Sequence, residues 1–173
     1  MVYLRRMNFQ PSLIPEGDQQ VDLHAQREEL LKLREEGKVL SIGLSHVMLE
    51  QVKQAEKEIG IASVSSIYTV LRRDDEPILD FAQAHEIAWT PYFPLGGASY
   101  ADIPRVAEHA SVQRIAEELG ATANQVGIKW QLEHSPNTLL IMGTSSLHHL
   151  KENVAATSLS FTSEQFEELE NLT

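Results

Sequence analysis

The sequence contains no cysteine and has few basic residues. Without cysteine among its 173 residues, the chain cannot form disulfides, thiolate metal sites or thiol nucleophiles. Its 14 Lys and Arg residues are outnumbered by 25 Asp and Glu residues, so no basic stripe is available to displace counterions from a nucleic-acid backbone. We therefore expect neither a disulfide-stabilised scaffold nor a nucleic-acid partner.

The sequence also lacks a long hydrophobic run at its start. The opening stretch "MVYLRRMNFQ" has only a few apolar residues, and Arg5 and Arg6 interrupt them, which predicts neither a signal peptide nor a membrane span. Together with the absence of cysteine, this favours a cytoplasmic protein that does not contact a membrane. The length predicts one domain over 1–173.

Short apolar runs alternate with helical patterns along the chain. Strands are predicted over 2–7, 39–45, 62–70, 87–93 and 138–142, and a loop over 8–20. Helices are predicted between them, over 23–36, 49–59, 76–85 and 145–156, with further helices after 93. Apolar strands separated by helices require long parallel crossovers, so we predict an α/β fold with a parallel sheet covered by helices.

Capping residues mark several helix starts. Asp22 is a candidate N-cap for the first helix. The pairs Thr122 with Gln125 and Thr162 with Gln165 each have the spacing of a capping box.

Polar residues and glycines follow the predicted strands. In parallel α/β folds ligands bind beyond the carboxyl ends of strands, and these positions hold Ser45 and His46, then Ser65 and Tyr68, then Tyr92 with "FPLGG", and finally "GTSS" over 143–146. Glycines, hydroxyls and a helix N-terminus are typical of phosphate sites. A serine-rich turn before a helix is also typical of a plain N-cap, and both interpretations stay open.

Three motifs carry a resemblance. "EEGKVLSIGLSHV", "TPYFPLGG" and "LLIMGTSSLHHLKENVAA", in this order and spacing, resemble the carboxyl-terminal part of an aldo-keto reductase from the fourth barrel strand onward, most of all the short-loop members that include pyridoxal reductases. The resemblance implies a partial (β/α)8 TIM barrel with about strands 4 to 8 and their helices, truncated at its amino terminus. It also implies an oxidoreductase that uses NADP(H) to reduce an aldehyde or ketone to an alcohol.

The resemblance implies a set of cofactor-binding residues. Ser45 and His46 match the nicotinamide carboxamide contacts, with His46 in place of the family's asparagine, and Ser65 stands where the family has glutamine. Tyr92 matches the aromatic residue that stacks on the nicotinamide. The remaining matches, which lie along the pyrophosphate, the 2′-phosphate and the adenine, are Phe93, Leu95, Gly96, Gly143, Thr144, Ser145, His149 and Asn153.

The reacting side of the family's site has no counterpart here. In the family, an Asp, a Tyr and a Lys on the first three barrel strands form the reacting side, and the resemblance implies that these three strands are absent from this sequence. The family's fourth catalytic residue is a histidine, and Arg5 stands near its position. Tyr68 and Tyr92 have no lysine at a neighbouring strand end to make them acids near neutrality. We therefore nominate no catalytic residue, and a small carbonyl compound is the expected substrate only if the missing half is supplied.

Two other functions stay open: a non-catalytic module that binds a dinucleotide or another protein, and a decayed fragment with no selected function. No metal site is expected, since the adjacent His148 and His149 point about 100° apart on a helix. A barrel with too few strands leaves open sheet edges. We therefore expect self-association through these edges, with a second copy or with a full-length relative.

Overall fold

The computed structural model describes residues 1–5, 22–97 and 102–173. The chain forms two compact units, one comprising Met1–Ser66 and Pro77–Trp89, the other Ile67–Glu76 and Thr90–Thr173. Below, the first is called the sheet unit and the second the helical unit. The single domain expected over 1–173 stays a prediction.

The sheet unit contains four parallel strands in the order β1-β2-β3-β4. Their bounds are Val2–Arg5, Ile42–Ser45, Ser63–Ser65 and Ala88–Trp89. The sequence predicted the parallel sheet and all four of these strands correctly, although each observed strand is shorter than the apolar run that predicted it. The rest of the strand predicted over 2–7 and the loop predicted over 8–20 lie outside the described residues.

Strand register sorts the side chains of the sheet onto two faces. Tyr3, Gly43 and Ser63 are aligned across three strands, and the Tyr3 hydroxyl donates to Ser63 Oγ at 2.6 Å. A Cβ at Gly43 would lie 2.5 Å from the Tyr3 ring, so the glycine makes room for the tyrosine. Leu44 and Val64, on the other face, are completely buried.

Three helices belong to the sheet unit: α1 (Leu23–Glu35), α2 (Leu49–Ile59) and α3 (Glu76–Ala84), the last from its second residue onward. The predicted N-cap is confirmed, because the Asp22 carboxylate accepts a hydrogen bond from Ala25 N at 3.0 Å. Val52, Ala55 and Ile59 form the buried face of α2, as the apolar spacing predicted.

The helical unit consists of α4 (Ala110–Leu119), α5 (Ala123–His134), α6 (Leu147–Ala155) and α7 (Ser163–Glu170), with 3₁₀ turns over Val106–Glu108 and Ala156–Ser158. Both predicted capping boxes, at the starts of α5 and α7, are confirmed. Trp130 of α5 is completely buried.

The last predicted strand does not form. Thr138 forms a single β-bridge, but residues 139–142 contain no strand. The helix predicted from 145 begins at Leu147. Leu139 and Ile141 are more than half exposed. A strand needs backbone pairing over several successive residues, and in this segment the pairing is limited to the bridge at Thr138.

None of the helices in the described residues is both long and apolar enough to cross a membrane.

Candidate functional site

The sheet unit brings its three predicted site residues together at the carboxyl ends of its strands. Ser45 is aligned with Arg5 on one side and with Ser65 on the other. The Arg5 guanidinium lies 3.4 Å from Ser45 Oγ. Ser45, His46 and Ser65 are each less than a tenth exposed, so strand pairing holds all three in a fixed arrangement.

His46 adopts a backbone conformation that few residues tolerate. Its φ angle is 57°, in the left-handed region where Asn, Asp and His are enriched among non-glycine residues. Its backbone N–H donates to the Ser65 carbonyl at 2.9 Å. Asparagine is the residue that the resemblance places here, and histidine is one of the few alternatives compatible with this φ.

The helical unit brings two distant motifs to one groove of about 330 Å³. One wall is the "YFPLG" turn, and the other is the "IMG" segment over 141–143. The lining residues are Tyr92, Phe93, Pro94, Leu95, Gly96, Ile141, Met142 and Gly143. The predicted residues Tyr92, Phe93, Leu95, Gly96 and Gly143 therefore share one groove, and Pro94, Ile141 and Met142 join them although the sequence did not single them out.

The turn after Tyr92 requires its glycine. Gly96 has a φ of 73°, and a Cβ there would lie 1.8 Å from the Pro104 carbonyl oxygen. Gln131 supports the same turn from α5, because its side-chain amide donates to the Pro94 carbonyl at 2.7 Å and to the Tyr68 carbonyl at 3.2 Å. The shape of this wall is thus set by close backbone packing.

The hydroxyl groups of the "GTSS" turn have different roles. Ser146 is the N-cap of α6, and its Oγ accepts from His149 N at 3.3 Å. Thr144 Oγ1 accepts from Ser146 N at 3.1 Å. Thr144 and Ser145 are both exposed. The N-cap interpretation is therefore correct for Ser146, while the hydroxyls of Thr144 and Ser145 remain accessible as donors.

Gly143 precedes α6, whereas His149 and Asn153 lie in its first and last turns. A Cβ at Gly143 would meet no atom of the described residues within 4 Å, so their packing does not demand glycine there. His149 and Asn153 are four residues apart on α6 and share one face. The roles given to these residues by resemblance stay predictions.

A polar cluster in the helical unit was missed by sequence reasoning. His134, at the end of α5, contacts Glu170 Oε1 through Nδ1 at 2.8 Å and Glu76 Oε1 through Nε2 at 2.7 Å. The Tyr68 hydroxyl donates to Glu76 and lies 2.8 Å from His134 Nε2. We call Tyr68, Glu76, His134 and Glu170 the histidine cluster. Tyr68 and Glu76 are eight residues apart, but His134 and Glu170 are distant from them in sequence, and no spacing rule connects the four.

Trp130 and Arg73 flank the histidine cluster. Trp130 Nε1 donates to Glu170 Oε1 at 2.8 Å. The Arg73 guanidinium lies 4.6 Å from the centre of the Trp130 ring and pairs with Glu170 Oε2 at 3.0 Å. Glu170 of α7 is therefore bound by three side chains at once.

The electrostatics of the cluster make Tyr68 a poor acid. Burial, followed by the hydrogen bond to the Glu76 carboxylate, raises the pKa of Tyr68 far above its ordinary value. Burial opposes the charged form of Glu76, yet hydrogen bonds from His134 and Tyr68 outweigh it and lower the pKa of that carboxyl. Burial likewise disfavours the protonated His134, but the Glu76 and Glu170 carboxylates raise its pKa overall. A proton donor near neutrality needs the opposite shift from the one seen at Tyr68.

The described residues contain no group of three or more His, Cys, Asp or Glu side chains arranged to hold a metal ion.

Comparisons with known proteins identify the ancestry of these motifs. The model of the Aldo/keto reductase family matches residues 13–173. Pyridoxine 4-dehydrogenase of Escherichia coli is 38% identical over 157 residues, which cover 90% of this chain and 52% of that protein. An uncharacterized oxidoreductase of Schizosaccharomyces pombe is 29% identical, with 88% of this chain and 48% of that protein covered. The chain thus spans about half the length of these curated relatives.

Solved structures agree with the partial barrel. An aldose reductase from Giardia lamblia superposes with a TM-score of 0.78 at 20% identity, over 91% of this chain and 54% of its own. An aldo-keto reductase from Klebsiella pneumoniae, solved in complex with NADPH, superposes with a TM-score of 0.75 at 25% identity, over 88% of this chain and 55% of its own. The predicted partial TIM barrel is confirmed, and the chain belongs to the aldo/keto reductase family.

Proposed function

We propose that this chain supplies the NADP(H)-binding part of an aldo-keto reductase that reduces an aldehyde or ketone to an alcohol. The groove between the "YFPLG" turn and Gly143 carries this proposal, because it joins two segments that the resemblance assigns to one cofactor. The Klebsiella pneumoniae relative solved with NADPH supports the choice of cofactor.

The start of α6 has the chemistry that a phosphate group needs. Its first turn contains no acidic residue and carries His148 and His149. The exposed hydroxyls of Thr144 and Ser145 precede it. Backbone N–H groups and the helix dipole add a favourable field for an anion at such a position. The open space at Gly143 leaves room for close approach of a ligand.

The strand ends of the sheet unit fit the polar amide end of the cofactor. Ser45 and Ser65 present hydroxyls that both donate and accept hydrogen bonds, and the His46 ring can donate one hydrogen bond to a carboxamide. In the helical unit, Tyr92 is half-buried at the groove, where its ring can stack on a planar ligand.

When bound, NADPH supplies a hydride to the carbonyl carbon of the substrate. The residues of this chain bind and orient the cofactor, but none of those in the ranges 1–5, 22–97 and 102–173 is placed to deliver the proton to the carbonyl oxygen. Tyr68 is buried and its pKa is raised. Loss of general acid catalysis typically costs about 10² to 10⁴ in rate. The isolated chain should therefore bind cofactor without appreciable carbonyl reduction.

A titration of NADPH against the purified chain tests the cofactor site. Thr144→Ala should weaken binding several-fold, because it removes a hydroxyl beside the helix start. Thr157→Ala is the matched control, since Thr157 is also exposed and its Oγ1 donates only to the Val154 carbonyl past the end of α6. Binding should favour NADPH over NADH. Equal affinity for both nucleotides, or equal affinity of the two variants, would contradict the placement.

An activity assay separates the proposal from its two alternatives. Pyridoxal or an aromatic aldehyde is mixed with NADPH and the chain, first alone and then with an added amino-terminal half of an aldo-keto reductase. The proposal requires turnover only in the second mixture. Nucleotide binding without turnover in either would favour a non-catalytic module, and the absence of both would favour a decayed fragment.

A further inference from the structure

Gln131 of α5 carries a buried side-chain amide that bonds two separate stretches of backbone. The residue is only 2% exposed. Its Nε2 donates to the Pro94 carbonyl at 2.7 Å and to the Tyr68 carbonyl at 3.2 Å. Both protons of this amide nitrogen are therefore used within the helical unit.

The acceptor half of the same amide has a different environment. Gln131 Oε1 is buried and accepts no hydrogen bond from the residues that the structure describes. A flipped amide would place this oxygen against two carbonyl oxygens, so the contacts fix the orientation of the group. A buried acceptor without a partner is unfavourable, and a methionine or leucine would leave no such atom. The stabilising part of Gln131 is therefore its pair of donors.

The two carbonyls belong to segments that pair beside the groove. Ile67 and Tyr92 form an isolated parallel β-bridge. One acceptor, Tyr68, directly follows Ile67 in the chain, and the other, Pro94, lies two residues after the second bridge residue. The Gln131 amide therefore ties these segments together just beyond the bridge, where the "YFPLG" wall begins.

The turn in this wall contains a strained residue. Phe93 has a φ of 53°, a left-handed conformation that is an outlier for a bulky side chain and persists only where the surrounding structure holds it. The carbonyls of Phe93 and Leu95 accept backbone N–H groups at 2.8 and 3.1 Å. The Pro94 carbonyl between them accepts from the Gln131 side chain. A substitution can therefore release the middle of this turn without removing a backbone donor.

We propose that Gln131 is a positioning residue that holds Tyr92 and Phe93 in the orientation in which the groove receives the nicotinamide end of the cofactor. It acts through the two carbonyls rather than by touching the ligand. The inference rests on the proposed function, which assigns the "YFPLG" wall to the nicotinamide end and the start of α6 to the 2′-phosphate. Loss of the two donors should therefore weaken binding at one end of the cofactor only.

Two nucleotides separate a positioning role from a general loss of structure. Adenosine 2′,5′-bisphosphate keeps the adenosine and the 2′-phosphate of NADPH but lacks the nicotinamide end. Gln131→Met preserves the length of the side chain and removes both donors. It should weaken NADPH binding about tenfold and leave the affinity for adenosine 2′,5′-bisphosphate unchanged. Calorimetric titration of the full chain with each nucleotide measures both affinities.

Two control variants come from α4. Gln113 also donates from its side-chain amide to a backbone carbonyl, that of Ala107, at 2.9 Å, so Gln113→Met removes a bond of the same kind and should bind both nucleotides like the parent chain. Ile115 is completely buried, and Ile115→Val lowers stability while leaving Gln131 in place. A loss of NADPH affinity in Ile115→Val as large as in Gln131→Met would overturn the proposal.

Amide hydrogen exchange without ligand supplies a second readout that does not depend on nucleotide binding. Exchange across 93–97 should be about tenfold faster in Gln131→Met than in the parent chain, because the turn opens locally once the Pro94 carbonyl is released. Gln113→Met should leave this exchange unchanged. Faster exchange together with a selective loss of NADPH affinity would support the proposal.

Three results would overturn the positioning role: equal weakening of both nucleotides, unchanged NADPH affinity, or unchanged exchange across the turn in Gln131→Met. A parent chain that binds neither nucleotide would instead refute the proposed function. In that case, faster exchange in Gln131→Met would still support its hold on the turn, so the two failures are distinguishable.

Discussion

The two units position their predicted site residues in different ways. In the sheet unit, Ser45 and Ser65 are held by the register of parallel strands and are almost completely buried. In the helical unit, Thr144, Ser145 and His149 lie on an exposed turn and helix start, and their positions depend on one N-cap. Backbone pairing fixes the first group, while local side-chain hydrogen bonds fix the second.

The two units also differ in what joins their elements. Within its described residues the helical unit has isolated β-bridges, such as the one between Ile67 and Tyr92, but no named strand. Its elements are joined mainly by buried apolar residues and the histidine cluster. The chain has two tryptophans, with Trp89 in the sheet unit and Trp130 in the helical unit. Their emission can therefore follow each unit separately.

Trp130→Ala should have the largest effect. Trp130 is completely buried, and its Nε1 donates to Glu170, so its loss should lower the free energy of unfolding by about 3–5 kcal/mol. Trp130→Phe keeps most of the packing and should lower the free energy of unfolding by less. Urea unfolding by circular dichroism gives the total, and Trp89 emission follows the sheet unit. An equal shift in both signals would show that the units unfold together.

His134→Gln should remove a pH dependence from the helical unit. The raised pKa of His134 stabilises the fold fully below its ordinary value of 6.5, and this contribution disappears as the pH rises through the folded pKa. The lowered pKa of Glu76 stabilises above 4.5, and this contribution disappears as the pH falls through its folded pKa. Stability carried by this pair should therefore be greatest between about pH 4.5 and 6.5.

Within that pH window, His134→Gln should lower the free energy of unfolding by about 1.5–3 kcal/mol, the usual range for hydrogen bonds to charged groups. Denaturant unfolding followed by Trp130 emission at pH 5.5 and pH 8.5 measures it. Trp89→Phe, applied to both proteins, removes the signal of the sheet unit. The same pH profile with and without His134 would show that the cluster does not control stability.

His46→Val should destabilise the sheet unit by about 1–2 kcal/mol, because a β-branched residue is strained at a φ of 57°. His46→Asn should be close to neutral, since asparagine tolerates this conformation. Thermal unfolding compares the two. Equal losses would indicate that the imidazole, and not the backbone conformation, determines the stability at this position.

Ser146→Ala should have the smallest effect. It removes the N-cap of α6, which typically costs about 1 kcal/mol, and frees the helix start that we assign to a phosphate. Ser145→Ala, one residue earlier, should leave stability unchanged, because no cap depends on it. Amide hydrogen exchange in α6 distinguishes the two. Similar protection in both variants would contradict the capping assignment.

Local patterns in the sequence predicted most of the elements. The apolar spacing of α2 and the cap at Asp22 are recovered in the structure, as are the capping boxes at Thr122 and Thr162. These features depend on residues within a few positions of one another, which is why sequence alone identifies them. The apolar run at 138–142 has the composition of a strand, but composition does not provide a partner for its backbone.

The sequence predicted which segments form the candidate site, but not which other residues lie beside them in space. The motif resemblance pointed to Tyr92 and Gly143, and the structure adds that they share a groove with Ile141 and Met142. The sequence gives no sign of the histidine cluster, because Glu76, His134 and Glu170 are separated by long stretches of chain and meet only after α5 and α7 pack.

By itself, the sequence determined the alternation of strands and helices, the helix caps and the family, because each depends on short-range spacing or on motifs read in order. Only the tertiary structure decided which run of apolar residues becomes a strand, which hydroxyl of "GTSS" caps α6, and which surfaces remain uncovered. These outcomes depend on which partner each backbone and side chain meets in space. Pairing and burial are properties of the whole fold, and no local stretch of sequence contains them.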